Sequence, residues 1–160
     1  MKKRLWLAYL AAAVLGTGWH FLYTVLPCPL TAILAPVNES VWEHLKLLYF
    51  PPLAVMLFLS FRTGQAQRSF WSSALAALLW MPVVLLGVYY ALTAGFGIPD
   101  SPILDIPLYY ASLALGWRLI GQDGREAWLG PAVIAVGVLG VMLAVFSFCA
   151  PPLPIFMPLK

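Results

Sequence analysis

FWSSALAALLWMPVVLLGVYYALTA, residues 70–94, runs for twenty-five positions without an Asp, Glu, Lys or Arg. About 20 predominantly apolar residues in a helix, rising 1.5 Å each, cross a bilayer core about 30 Å thick. This stretch therefore predicts a membrane-spanning helix with length to spare for tilt. Pro82 lies inside it, where a membrane helix can re-satisfy the freed carbonyl through its neighbours.

Similar blocks lie on either side. Residues 5–26, 41–61, 103–120 and 128–150 are predominantly apolar, and each reads as a further span. Pro51-Pro52 in the second block predicts a kink or a split into two shorter helices. The links are a polar stretch at 62–68, a Gly- and Pro-containing turn at 95–102, and a polar stretch at 121–126. Residues 151–160 form a Pro-rich tail. The expected fold is all-α: one transmembrane domain over residues 1–160, a polytopic bundle of about five helices.

Composition supports this class. Of 160 residues, 62% are hydrophobic and 9% charged, and the mean hydropathy is +0.90. Ordinary globular domains carry roughly 25% charged residues. Too little polar surface remains for a soluble domain, a disordered chain or a nucleic-acid binder built on basic patches. The expected surroundings are a lipid bilayer, with no nucleic-acid partner.

The net charge of +3 reads as orientation. With the N-terminus inside, the inner segments hold Lys2, Lys3, Arg4, Arg62, Arg68, Arg118 and Arg125, and the outer ones Lys46 and Lys160. By the positive-inside rule the topology is N-in, C-out. Trp6, Trp71, Trp117 and Trp128 fall near the inner helix ends, as an aromatic belt would. The basic start could open a secretory signal, but the apolar run passes 20 residues without a convincing cleavage site, and a retained first helix is expected. The predicted location is the cytoplasmic membrane of a bacterium. Cys28 and Cys149 both fall on the outer side, and the simpler expectation is two unpaired thiols.

In so apolar a chain, ionisable groups in or beside the spans are the informative residues, because each is expensive there unless paired or wet. Asn38-Glu39-Ser40-Val41-Trp42-Glu43-His44-Leu45-Lys46 gathers four of them. Ser40 and Glu43 have capping-box spacing, Asn38 is an alternative cap, and Glu43 and Lys46 can pair three residues apart. At 100° per residue, Glu39, Glu43 and Lys46 share one face, with His44 about a quarter-turn away. His20 near the outer end of the first helix and Asp105 at the outer start of the fourth lie at the same depth, as do Tyr23, Tyr89 and Tyr90. Asp105 also reads as a helix N-cap ahead of Pro107. Asp123 and Glu126 read as part of a solvated inner charge mixture with Arg118 and Arg125. Trp80, Tyr109 and Tyr110 read as packing, and Gly87, Gly116, Gly137 and Gly140 as close-approach positions between helices.

Three readings of the cluster stand side by side. It is a structural network locking the helices; or a metal site, with His20, His44 and Asp105 as first-choice ligands and Glu39 or Glu43 as further ones, suited to zinc or another divalent metal; or a site for a small molecule, a lipid headgroup or protons. The ligand-binding candidates are His20, Asn38, Glu39, Glu43, His44, Lys46 and Asp105. Zinc-bound water beside Glu43 as the catalytic carboxylate would make a membrane hydrolase acting on a lipid or lipid-linked group. A purely structural cluster would suit a non-catalytic partner subunit.

Trp19-His20-Phe21-Leu22-Tyr23, followed by Asn38-Glu39-Ser40-Val41-Trp42-Glu43-His44-Leu45-Lys46, resembles the signature of DUF6512, a family of small bacterial integral membrane proteins with no assigned function. That signature reads Gly-His-Phe-Leu-Tyr and then Asn-Glu-Ser-x-Trp-Glu-His-x-Lys, with Trp19 here in the place of its first glycine. Asp105-Ile106 and the tail from Pro151 to Phe156 are also similar. The resemblance implies a membrane class and no mechanism.

Overall fold

The computed structural model describes residues 2–63, 68–120 and 126–158. They form α1 (Lys2–His20), α2 (Leu22–Val25), α3 (Pro29–Leu34), α4 (Val41–Thr63), α5 (Arg68–Tyr90), α6 (Pro102–Trp117) and α7 (Leu129–Val145). A π-helical turn, Ala91–Gly95, extends α5, and 3-10 turns occupy Glu126–Trp128 and Pro154–Phe156. The fold is all-helical, with no strand among the described residues; an isolated antiparallel bridge joins Ser40 to Pro158 and pins the tail to the head of α4. Asp123, Arg125 and most of the 62–68 link lie outside the described residues.

Three helical stretches are long and apolar enough to cross a membrane: Val41–Arg62, Arg68–Gly95 and Glu126–Val145. The expected split at Pro51-Pro52 does not occur, because α4 continues through both prolines. Neither proline has an N–H, so the carbonyls of Leu47 and Leu48 receive no bond from four residues on, yet packing holds the helix together. The first expected span is divided instead: α1 ends at His20, and the chain turns at Phe21 into the short α2.

α1 packs against α4, and α5 packs against α4, α6 and α7. The core joins Leu45, Leu48 and Met56 of α4 to Leu78 and Met81 of α5, Leu113 of α6 and Leu143 of α7, all fully or almost fully buried. Two of the expected close-approach glycines act as such. A Cβ on Gly116 would collide with the Met81 side chain, and one on Gly140 would lie 2.6 Å from Tyr49 Oη, which donates to the Val136 carbonyl at 2.9 Å. Gly87 and Gly137 have open space instead.

Trp117 is buried rather than part of a belt. Its indole N–H donates to the Leu5 carbonyl at 2.9 Å, joining the end of α6 to the start of α1. Trp80, expected as packing, is half exposed. In the tail, Phe156 meets Trp42 and Phe146 at ring distances of 5.0 and 5.2 Å. Cys28 and Cys149 carry free thiols.

Candidate functional site

The end of α1, the heads of α4 and α6 and the end of α7 meet on one side of the bundle. The ionisable residues found there divide into two groups with different chemistry.

The first group is closed. Lys46 and Glu43 are buried, with the Lys46 ammonium 2.6 Å from Glu43 Oε2. The three N–H groups of the ammonium are shared among four acceptors, the others being the carbonyls of Ala32 and Ala35 at 2.5 and 3.0 Å and Ser147 Oγ at 2.6 Å. Glu43 Oε2 accepts the Val37 N–H at 2.9 Å, and Oε1 accepts the Ser147 hydroxyl at 2.9 Å. Ammonium and carboxylate are thus surrounded by partners of the right sign, tying together the connector after α3, α4 and α7. The capping box is half formed: Ser40 Oγ accepts the Glu43 N–H at 3.3 Å, but the Ser40 N–H goes to Asn38 Oδ1 at 2.9 Å, because Glu43 is engaged with Lys46. Asn38, a ligand candidate from sequence, here closes a local turn.

The second group is open. His20 ends α1, His44 stands in the first turns of α4, and Glu39 lies on the connector before α4. His20 Nε2 is 3.6 Å from Glu39 Oε1, and His44 Nε2 is 3.3 Å from Glu39 Oε2. The imidazoles stack with centroids 5.3 Å apart, and one ligand atom from each of the three residues lies within 4.8 Å of the others. His44 Nδ1 is 2.8 Å from the Ser40 carbonyl. A carbonyl only accepts, so Nδ1 carries the proton, and in neutral His44 the Nε2 lone pair faces a carboxylate oxygen. Two acceptors at that distance repel unless a proton or a cation lies between them. Zinc held tetrahedrally at about 2.0–2.1 Å sets its ligand atoms about 3.3–3.4 Å apart. Metal-binding histidines are commonly oriented by such a carbonyl behind Nδ1.

Asp105 does not join this group: among the described residues the set that can share an ion is His20, Glu39 and His44. Nor is Asp105 the N-cap; Ser101 is, with Pro102 first in α6 and Asp105 one turn in. It lines a cleft of about 350 Å³ between α1, α4 and α6, together with both histidines, Tyr109 and Tyr110. The Tyr109 hydroxyl is buried there without a hydrogen-bond partner among the described residues, and a Cβ on Gly16 would collide with it. A smaller cavity of about 50 Å³ touches His44, Asp105 and Tyr109 from the other side and reaches Tyr89. Reading Tyr109 and Tyr110 as packing alone missed their place in this cleft. Ser147 and Asp100 were also missed; Asp100 accepts the Tyr89 hydroxyl at 3.2 Å and lies in the electrostatic surroundings of Asp105. A lone serine near the end of an otherwise apolar block was the available signal for Ser147.

An all-helical bundle with membrane-length helices and a His/Glu/His group at one end defines the class. The chain belongs to the family of unknown function DUF6512, whose model matches residues 1–159. No curated protein and no solved structure matches it.

Proposed function

We propose that this chain is a five-span protein of the cytoplasmic membrane, N-terminus inside, that binds a divalent transition metal, zinc by preference, through His20, Glu39 and His44 at its outer side. The membrane part of the reading is supported by the three membrane-length helices and by large apolar side chains exposed on the other two long helices, such as Leu7 and Val14 of α1 and Ile103 of α6. Such faces need lipid or protein cover. The charge bias sets the orientation.

One observation carries the metal reading: two imidazole nitrogens converge on one carboxylate at 3.6 and 3.3 Å, with His44 Nδ1 already engaged. His₂Glu with an open position is a catalytic zinc ligand set. Glu39, with its side chain 63% exposed, would hold such an ion within reach of solvent. The test is elemental analysis of detergent-purified protein after zinc loading, wild type beside His20→Ala/His44→Ala. One equivalent of zinc held by the wild type and lost in the double variant is expected. Wild type that holds no zinc, or a double variant that holds as much, would refute the reading.

A hydrolytic role is favoured by the adjoining cleft, where Asp105 and the unpartnered Tyr109 hydroxyl stand beside the histidines. A metal there would supply an activated water. Asp105 would take a proton from it and Tyr109 would donate to the developing negative charge, acting on a lipid or lipid-linked substrate. Glu43 leaves this scheme, since both its oxygens are engaged by Lys46, Val37 and Ser147.

A further inference from the structure

At the end of the bundle away from the histidines, α1 and α4 leave a groove between them. It has a volume of about 770 Å³; Ala11 and Ala54 give it width, Leu15 and Phe58 wall it, and Arg4 and Arg62 stand at its end. Both arginines are exposed, and neither pairs with a carboxylate among the described residues. Glu39, Glu43, Asp100 and Asp105 belong to the opposite end of the molecule. Glu126 shares the arginine end, but Arg68 and Arg118 stand there as well as Arg4 and Arg62, so the net charge on this side is positive.

Three features fix the kind of occupant. The groove runs along α1 from Arg4 to Leu15, eleven residues or about 16 Å at 1.5 Å each, which matches one leaflet of a hydrocarbon core about 30 Å thick. Its walls are aliphatic and aromatic, with the polar groups confined to the arginine end. Arg4 lies in the first turn of α1, where the helix dipole disfavours a cation and favours an anion. A molecule with an anionic head and a long apolar tail answers all three. Guanidinium groups also present the donor fork that suits phosphate.

We infer that the α1–α4 groove is a binding site for an anionic phospholipid, its phosphate held between Arg4 and Arg62 and one acyl chain lying along Ala11 and Ala54 toward the bilayer midplane. This site is separate from the histidine group and does not depend on a metal. On the N-in orientation the lipid belongs to the inner leaflet, and it would fill the gap between α1 and α4.

The test is titration of the detergent-purified chain with phosphatidylglycerol, phosphatidylcholine or inorganic phosphate, followed by native mass spectrometry. Each arginine near an anionic headgroup contributes a favourable term that for two sums to about 30-fold in affinity. The wild type should bind phosphatidylglycerol about 30-fold more tightly than phosphatidylcholine. Arg4→Gln/Arg62→Gln should reduce that ratio to near one. Ala11→Phe, at an exposed position, should block binding of both lipids while leaving the arginines in place. Equal affinity for the two lipids in the wild type, or a preference that survives in the arginine variant, would overturn the proposal. So would phosphate alone competing as well as the lipid, which would make this a free-phosphate site.

Discussion

Lys46→Met removes the ammonium from the buried network while keeping most of the stem volume. Glu43 would then keep the Val37 N–H and the Ser147 hydroxyl, but its charge would be buried without a counter-charge, and the Ala32 and Ala35 carbonyls would lose their donor. Removing one partner of a buried ion pair destabilises by about 3–5 kcal/mol, and an orphaned buried carbonyl adds on the order of 1–3 kcal/mol. These contributions overlap, so the expected loss is at least about 3 kcal/mol, or more than 100-fold in the folding equilibrium. Glu43→Leu/Lys46→Met removes both charges, and such exchanges are often close to neutral. The double variant should therefore be more stable than the sum of the single losses by about 2 kcal/mol or more. Reversible unfolding of the four proteins in mixed micelles, titrated with a denaturing detergent, gives the cycle. A Lys46→Met protein within about 1 kcal/mol of wild type, or single losses that simply add, would refute the lock.

Two further outcomes follow from particular contacts. Gly140→Ala should destabilise by about 1–3 kcal/mol, because its new methyl meets Tyr49 Oη, whereas Gly137→Ala faces open space and should be neutral or slightly stabilising; thermal unfolding of the pair distinguishes them, and equal effects would contradict the packing. If the N-terminus is inside, a membrane-impermeant maleimide applied to intact cells should label Cys149, which is exposed, and should fail to label a cysteine placed at Arg62 in a Cys28→Ser/Cys149→Ser background; the reverse pattern would invert the topology.

The helices were legible because an apolar run of this length has one common use. Their ends were less so. Hydropathy carries 5–26 as one block, but α1 stops at His20, since the average over a window does not register the turn at Phe21. Pro51-Pro52 read as a break because a sequence rule for proline counts lost hydrogen bonds and not the tertiary packing around Leu48 and Met56. In the site, the residue types and their common level were visible, while their grouping was not. Glu39, Glu43 and Lys46 were placed on one face by helical spacing, yet α4 begins at Val41. Glu39 therefore lies outside the helix, where the 100° rule does not apply, and turns to the histidines while Glu43 turns inward. The partner that separates them, Ser147, stands 104 residues from Glu43.

Hydrogen-bond satisfaction divides that end of the bundle into a part whose polar groups are all engaged and a part that leaves polar atoms open. In the Lys46 network each donor meets an acceptor and the charges are matched, so adding a ligand would break bonds. A few residues away, His44 Nε2 lies 3.3 Å from a carboxylate oxygen of Glu39, and the Tyr109 hydroxyl has no hydrogen-bond partner among the described residues. A proton or a cation between His44 Nε2 and Glu39 would relieve the first contact, and on the proposed metal site the cation does so. The lock stands directly beside this group: Glu43 and His44 are neighbours on α4, and the bonds that anchor Glu43 also fix the backbone that aims His44. If the proposed metal site is real, Lys46→Met should therefore lower zinc affinity, measured by equilibrium dialysis of the purified protein, as well as stability, a coupling that two independent sites would not produce.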